Sequence, residues 1–281
     1  MFSKILVPLD GSLLALRILK PLQRLLHSSP THLTLLRIVE PRNTSAHDRM
    51  PAAELDMKAQ LQDVRESLGS EITISTQLVR GDPADEIARH ARDTGQDLVA
   101  LSTHGRTGLD RLVRGSVAER VLRSCEVPVL LCSPLAFAAQ DARFETILVA
   151  LDRSERSERV LPLVERMAIA HDSRVKLLRV EPMLVSEVPS PILVGSLWDP
   201  APLEQSLATA VDRLERAGVK VEASAAYGVV ASELLRASEG ASLLAMTTHG
   251  RTGVSRWWFG SVAEAVLRQA RCPLLVARTP S

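Results

Sequence analysis

What most limits the folds open to this chain is that it carries nearly the same pattern twice. Ile5-Leu6-Val7, followed by Asp10 and Ser12, returns as Ile147-Leu148-Val149, followed by Asp152 and Ser154. Leu35-Leu36-Arg37 returns as Leu177-Leu178-Arg179. The run Thr-His-Gly-Arg-Thr-Gly from Thr103 returns unchanged from Thr248, and Gly-Ser-Val-Ala-Glu from Gly115 returns unchanged from Gly260. The offset stays within about 142–147 residues along the whole of each half, which marks a tandem duplication rather than a short-period solenoid. With 281 residues in all, each copy has the length of one ordinary domain. The expected domains are residues 1–137 and 143–281, with the join between Ala138 and Arg143.

Each copy alternates strand and helix. In the first, Lys4–Leu9 is an apolar run of strand length, and Ser12–His27 has helical periodicity, with Ser12 as N-cap and a kink at Pro21. Leu33–Val39 is a second strand, and Pro51–Leu68 predicts an amphipathic helix stopped by Gly69. Ile72–Val79 alternates as a third strand. Asp82-Pro83 is an N-cap followed by proline at the first position of a helix that runs to Gly95. Leu98–Leu101 is a fourth strand, Ser116 opens a last helix, and Pro128–Leu131 is a fifth strand. The second copy keeps this order, with a longer proline-rich excursion from Pro182 to Pro202. Aromatic residues make up only 3% of a chain that is 46% hydrophobic, so Leu, Val, Ile and Ala must build the core. That palette suits buried parallel strands covered by helices. The expected class is α/β: two tandem, doubly wound, five-stranded parallel sheets with right-handed crossovers.

Such sheets bind ligands beyond the carboxyl ends of their strands, where the winding reverses. Ser102-Thr103-His104-Gly105 follows the fourth strand, then nine residues, then Gly115-Ser116; Thr247-Thr248-His249-Gly250, nine residues and Gly260-Ser261 repeat it. Ser116 and Glu119, like Ser261 and Glu264, have capping-box spacing, so the second glycine precedes a helix N-terminus. Free N–H groups and the positive end of the helix dipole attract anions there, and glycine lets a phosphate approach the backbone. The alternative is a long glycine-bearing connection before a well-capped helix. After the first strand, Asp10-Gly11-Ser12 and Asp152-Arg153-Ser154 place a carboxylate at the strand end. Its two readings are local capping and a polar contact to a nucleoside.

Other chemistries find little support. The net charge is +1 and both halves are near neutral, which argues against nucleic acid or an acidic membrane as partner. Cys125, Cys132 and Cys272 form no CxxC and no metal-ligand spacing; they read as buried or half-buried free thiols in a reducing compartment. The N-terminus MFSKILVPLDGS lacks the long apolar core of a signal peptide, and no run approaches the roughly 18 apolar residues of a membrane helix. The expected location is the cytoplasm. There is no Gly-x-Ser-x-Gly elbow, and the residue before Ser116 is glycine where a Walker motif has lysine. His104 and His249 are single, and His27, His32, His47, His90 and His171 read as surface or edge histidines. No catalytic or metal-binding residue is assigned, and activity is expected to be at most a weak ATPase.

At these residues the chain resembles the universal stress protein family in its tandem two-domain form. The resemblance covers nearly the whole chain and rests on the strand-end Asp with Ser two later, Gly81-Asp-Pro-Ala84, Thr-His-Gly-Arg-Thr-Gly, and Gly-Ser-Val-Ala-Glu before the last helix. It implies strand order 3-2-1-4-5 in each half and pairing through the last strands. Here that means an intramolecular pseudo-dimer, and the whole chain is also a candidate homodimer. One branch of the family binds ATP through Gly-x2-Gly-x9-Gly-Ser/Thr. This chain keeps all but the first glycine, which is Ser102 in one half and Thr247 in the other.

The resemblance places adenine and ribose near Pro8, Leu9, Asp10, Ile38 and Leu101, and phosphates near Gly105, Gly115, Ser116 and Val117, with His104 beside the pocket. The second-half counterparts are Ala150, Leu151, Asp152, Val180 and Met246, then Gly250, Gly260, Ser261 and Val262, with His249. The implied ligand is ATP or a related adenine nucleotide, with or without Mg²⁺, and an unidentified protein would read the bound state. The alternatives are a slow ATP hydrolase or phosphotransferase with Asp10 helping to hold Mg²⁺, and a stress protein that acts by protein contacts alone. The second half departs further: Gly228-Val-Val-Ala replaces Gly-Asp-Pro-Ala, and Trp257-Trp258-Phe259 replaces Leu112-Val113-Arg114. The N-terminal half is therefore expected to bind nucleotide at least as well as the C-terminal half.

Overall fold

A computed structural model of the chain describes residues 2–26, 31–41, 46–68, 72–103, 116–138, 144–182, 200–248 and 261–278. Ten strands form one sheet: β1 (Lys4–Pro8), β2 (His32–Val39), β3 (Thr73–Arg80), β4 (Leu98–Ser102), β5 (Val129–Cys132), β6 (Thr146–Leu151), β7 (Arg174–Pro182), β8 (Lys220–Gly228), β9 (Leu243–Thr248) and β10 (Leu274–Arg278). Their spatial order is β3-β2-β1-β4-β5-β10-β9-β6-β7-β8. Each half thus runs 3-2-1-4-5 from its outer edge to the middle. All pairs within a half are parallel. The halves join where β5 meets β10 antiparallel, with Leu131 opposite Leu274, Leu130 opposite Leu275 and Val129 opposite Val276.

Alternation along the strands divides the interior into two layers. Ile5, Val7, Leu33 and Leu35 face one layer with Leu19, Leu22 and Leu25 of helix Leu19–Leu26 and Val64 of helix Ala46–Leu68. Leu6 and Leu36 face the other, with Ile87 and Ala91 of helix Pro83–Asp93 and Val121 of helix Ser116–Ser124. The second half repeats the division. Leu161–His171 and Ala208–Arg216 pack on the first layer, Val230–Ala237 and Ser261–Gln269 on the second. The helix after β1 and the helix after β4 therefore leave on opposite faces, which opens a crevice between neighbouring strand ends. The seam gains further ties. Ser133 Oγ donates to the Ala270 carbonyl at 3.0 Å, and Arg278 Nη1 donates to the Cys125 carbonyl at 3.0 Å. On the first layer, the Arg24 guanidinium of the N-terminal half lies 5.8 Å from the Phe144 ring, which packs edge-on against His171.

Several local expectations change. The helix expected from Ser12 begins only at Leu19, after a 3-10 turn at Ala15–Ile18. Pro21 has no N–H to bond the Arg17 carbonyl, so it belongs in a first turn, where that N–H would have no partner anyway. It sets the helix start and does not kink a longer helix. The second helix begins at Ala46, upstream of Pro51, and forgoes the bond a residue-51 N–H would make. Gly69, its expected stop, lies outside the described residues, as does most of the join between the halves. His171 is not a surface histidine: it is buried at the seam against Phe144. All three cysteines are buried and free, and burial pushes the Cys132 and Cys272 thiols up to about 12.

Asp82 caps its helix as expected, its carboxylate accepting from the N–H groups of Ala84 and Asp85, with Pro83 at the first position. Val229, the second-half counterpart, has the same extended backbone and no side-chain cap. It is also 59% exposed, so a polar group there displaces no packing. Val229→Asp is therefore expected to stabilise the protein by about 1 kcal/mol. Chemical denaturation checks this; an unchanged or lower midpoint would mean the helix end is satisfied by other means.

Candidate functional site

The crevice of the N-terminal half is built by register. Ile5 pairs with Leu98 and Leu6 with Val99, so two steps on, Pro8 comes level with Leu101. Beyond β1 the chain stays with β2, since the Leu9 N–H donates to the Leu36 carbonyl at 2.9 Å. Asp10 follows at the mouth. Its Oδ1 accepts from the Ser12 N–H at 2.9 Å and the Ser12 hydroxyl at 2.6 Å, which holds the carboxylate at the strand end. Asp152 and Ser154 repeat the arrangement at 2.7 and 2.5 Å. The conserved spacing of Asp and Ser is thus a closed turn in both halves. The Ser12 Oγ also accepts from the Ala15 N–H at 3.1 Å, where the following 3-10 turn begins.

Ile38, Leu101 and Val117 meet in the second core layer and form the apolar wall on the β4 side. Ala150, Val180, Met246 and Val262 meet there in the other half. Leu9 and Leu151 do not join them: both side chains are buried in the first layer, so only their backbone reaches the crevice. Ser102 and Thr247 end β4 and β9, and the Ser102 hydroxyl donates to the Cys132 carbonyl at 3.4 Å. The Thr103 N–H donates to the same carbonyl at 3.0 Å, which ties the departing chain to β5. Ser116 and Ser261 open their helices, so the free N–H groups of a helix N-terminus face this end of the sheet. Glu119 lies 3.8 Å from Arg123 and Glu264 lies 2.7 Å from Arg268, one turn along the helix, which neutralises the first-turn carboxylates. His104, Gly105, Gly115, His249, Gly250 and Gly260 lie outside the described residues, as do Trp257, Trp258 and Phe259.

Two supports of the site escaped the sequence reading. The first is a pair of buried arginines under the first-strand ends. Arg37 is 4% exposed; its Nη1 donates to the Leu9 carbonyl at 3.4 Å, and its Nη2 lies 3.6 Å from the Asp56 carboxylate. Gly11, at φ +88°, lets the turn close over it, because a Cβ there would sit 2.5 Å from Arg37 Nη1. Arg179 is 5% exposed and donates to the Asp152 carbonyl at 3.0 Å. The repeat Leu-Leu-Arg held the signal, but one arginine inside an apolar strand does not say which distant groups will bury it. The second support is Arg120 of helix Ser116–Ser124. It meets Asp82 at 2.7 Å and Asp85 at 3.0 Å, tying that helix to the neighbouring N-cap. This hydrogen bond holds the Asp82 carboxyl below its usual range. In the second half Val229, Ser232 and Ala265 stand at these positions, so the tie is absent.

Among the described residues no group of three or more His, Cys, Asp or Glu is placed to hold a metal ion. No described helix is long and apolar enough to cross a membrane.

The model of the universal stress protein family matches the chain twice, over residues 1–133 and 143–278. A universal stress protein of Mycobacterium bovis is 29% identical over 223 residues, covering 76% of this chain and 72% of that protein. One from Methanocaldococcus jannaschii is 44% identical over 59 residues, covering 21% of this chain and only 35% of that protein. The crystal structure of a universal stress protein from Archaeoglobus fulgidus superposes with a TM-score of 0.75 at 20% identity, covering 98% of both chains. At that identity the likeness speaks for the fold alone.

Proposed function

Because the chain belongs to the universal stress protein family, with two of its domains in tandem, we propose that it is a regulatory protein whose N-terminal half binds ATP or a related adenine nucleotide between β1 and β4. One observation carries the reading: the apolar wall of Ile38, Leu101 and Val117, the Asp10 carboxylate and the helix N-terminus at Ser116 gather at the switch point of one doubly wound sheet. In this reading the adenine lies against Ile38 and Leu101. Asp10 accepts from a ribose hydroxyl, and the phosphates meet the N–H groups of Ser116 and Val117. The 104–115 run between β4 and the helix at Ser116 contains no lysine of the kind a phosphate-transfer enzyme uses, which favours a bound state that is read over one that is turned over. The second half keeps the same wall, so it is the weaker site and not an erased one.

The domain limits 1–137 and 143–281 go with this reading, as does a cytoplasmic setting. Mass spectrometry of small molecules released from freshly purified, denatured protein tests it, followed by calorimetric titration of the full chain with ATP. Saturable binding is the expected result; no adenine nucleotide released and no heat on titration would remove it. A single-turnover assay then separates the alternatives, since ADP appearing in step with binding would make the protein a hydrolase.

A further inference from the structure

The C-terminal half has a second cleft, on the face of the sheet opposite the nucleotide crevice. Arg179 lies two residues beyond Leu177 on β7 and shares its face, the first core layer, whereas Val180 points to the second. The cleft has a volume of about 590 Å³ and is lined by Arg179, Arg153, Glu158 and Glu181, with Pro202, Leu203 and Ser206 as its far wall. That volume is in the range of small-molecule sites.

The duplication shows what is new here. At the matching positions of the N-terminal half, Arg153, Glu158 and Glu181 correspond to Gly11, Leu16 and Val39. Val39 is buried and Leu16 packs against the core, so the first half closes this place with apolar contacts. The second half keeps the buried arginine and puts three charged residues around it. Among the described residues it also lacks the acid that serves the first arginine. Arg37 has Asp56 at 3.6 Å, while Arg179 meets no carboxylate within ion-pair distance among the described residues, and its Nε has no hydrogen-bond partner. Its Nη1 is held by the Ser206 carbonyl at 3.1 Å and by the Ser206 hydroxyl. Arg153 and Glu181 satisfy each other at 2.7 Å. What remains is one buried positive charge, Arg179, and one half-buried negative charge, Glu158, which forms no ion pair among the described residues.

A buried guanidinium whose neighbouring carboxylates, Glu158, Asp152 and Glu181, all stay beyond ion-pair distance is only partly compensated, and an anion alone would meet two carboxylates in the same cleft. A ligand that brings one charge of each sign answers both. We propose that this cleft binds a small zwitterion of amino-acid size, with its carboxylate toward Arg179 and Arg153, its ammonium toward Glu158, and an apolar side chain along Pro202 and Leu203. The proposal is independent of the nucleotide reading.

The test uses the full chain and three probes: L-leucine, acetate and n-butylamine, the last two each carrying half of the charge pattern. L-Leucine at about 10 mM is expected to raise the melting temperature by about 3 °C and to titrate saturably. Acetate and n-butylamine at the same concentration should leave it within about 1 °C. Glu158→Leu, which installs the residue of the first half, should abolish the response to leucine and leave ATP titration unchanged. Glu158→Gln, nearly isosteric, should weaken the response at least tenfold and guards against misfolding of the leucine variant. No response to leucine up to about 50 mM would overturn the proposal. So would an equal response to acetate, which would make this a plain anion site, or a full response in both Glu158 variants.

Discussion

Gly115→Val is expected to raise the Kd of the full chain for ATP at least tenfold while the melting temperature falls by no more than about 2 °C. Residue 115 immediately precedes helix Ser116–Ser124, whose first N–H groups face the crevice. A branched side chain there would push phosphate oxygens beyond hydrogen-bond reach, about 2.7–3.2 Å. Losing one or two charge-assisted bonds at roughly 1.5–3 kcal/mol each accounts for the tenfold or larger loss. Gly260→Val, the same change in the second half, should alter the titration less. There the tie that Arg120 makes to Asp82 and Asp85 has no equivalent. Calorimetry and thermal melting on the same samples decide the matter. If Gly115→Val lowers the melting point and leaves affinity alone, this glycine serves only a turn, and the phosphate assignment is wrong. If Gly260→Val has the larger effect, the two halves exchange roles.

The second large effect concerns the seam. Leu275 is 1% exposed and lies opposite Leu130, itself fully buried, where the two halves pair. Leu275→Asp places a carboxylate in an apolar layer with no partner, at a cost of about 4 kcal/mol or more. For a chain of this size that lowers the melting temperature by roughly 8–16 °C. Far-ultraviolet circular dichroism during heating measures the shift. A change below about 2 °C would mean that β5 and β10 do not form a packed interface in solution. A single seam mutation with so broad a consequence follows from the one continuous sheet: loosening β10 uncovers the inner edge of both halves at once.

Asp10 at a strand end and Ser116 at a helix start were legible from the chain because the rules that place them are short-range, whereas Ile38 and Leu101 entered only with the family resemblance. Strand and helix alternate, parallel strands need crossovers, and the winding reversal sets strand ends beside helix starts. The same holds for Asp82 and Pro83, whose capping chemistry spans three residues. Misplaced features had competing local signals. Ser12 looks like a helix cap, yet Pro21 decides where the helix begins, and Leu9 sits among site residues while its side chain faces the other layer.

Duplication alone fixes that this chain makes two five-stranded halves of one kind and that their strand ends resemble each other, because hydrophobic periodicity and turn chemistry are written residue by residue; that the halves join edge to edge in one sheet is decided by the pairing of β5 with β10. The fate of Arg37 and Arg179 is of another order. Both follow Leu-Leu in a strand; Glu181, two residues beyond Arg179, lines its cleft, but nothing within ten residues says that Arg37 will find Asp56 or that Arg179 will face Glu158 and Ser206. That is decided by which distant helix packs over the strand end, since the cost of a buried charge depends on groups brought near only by the folded chain.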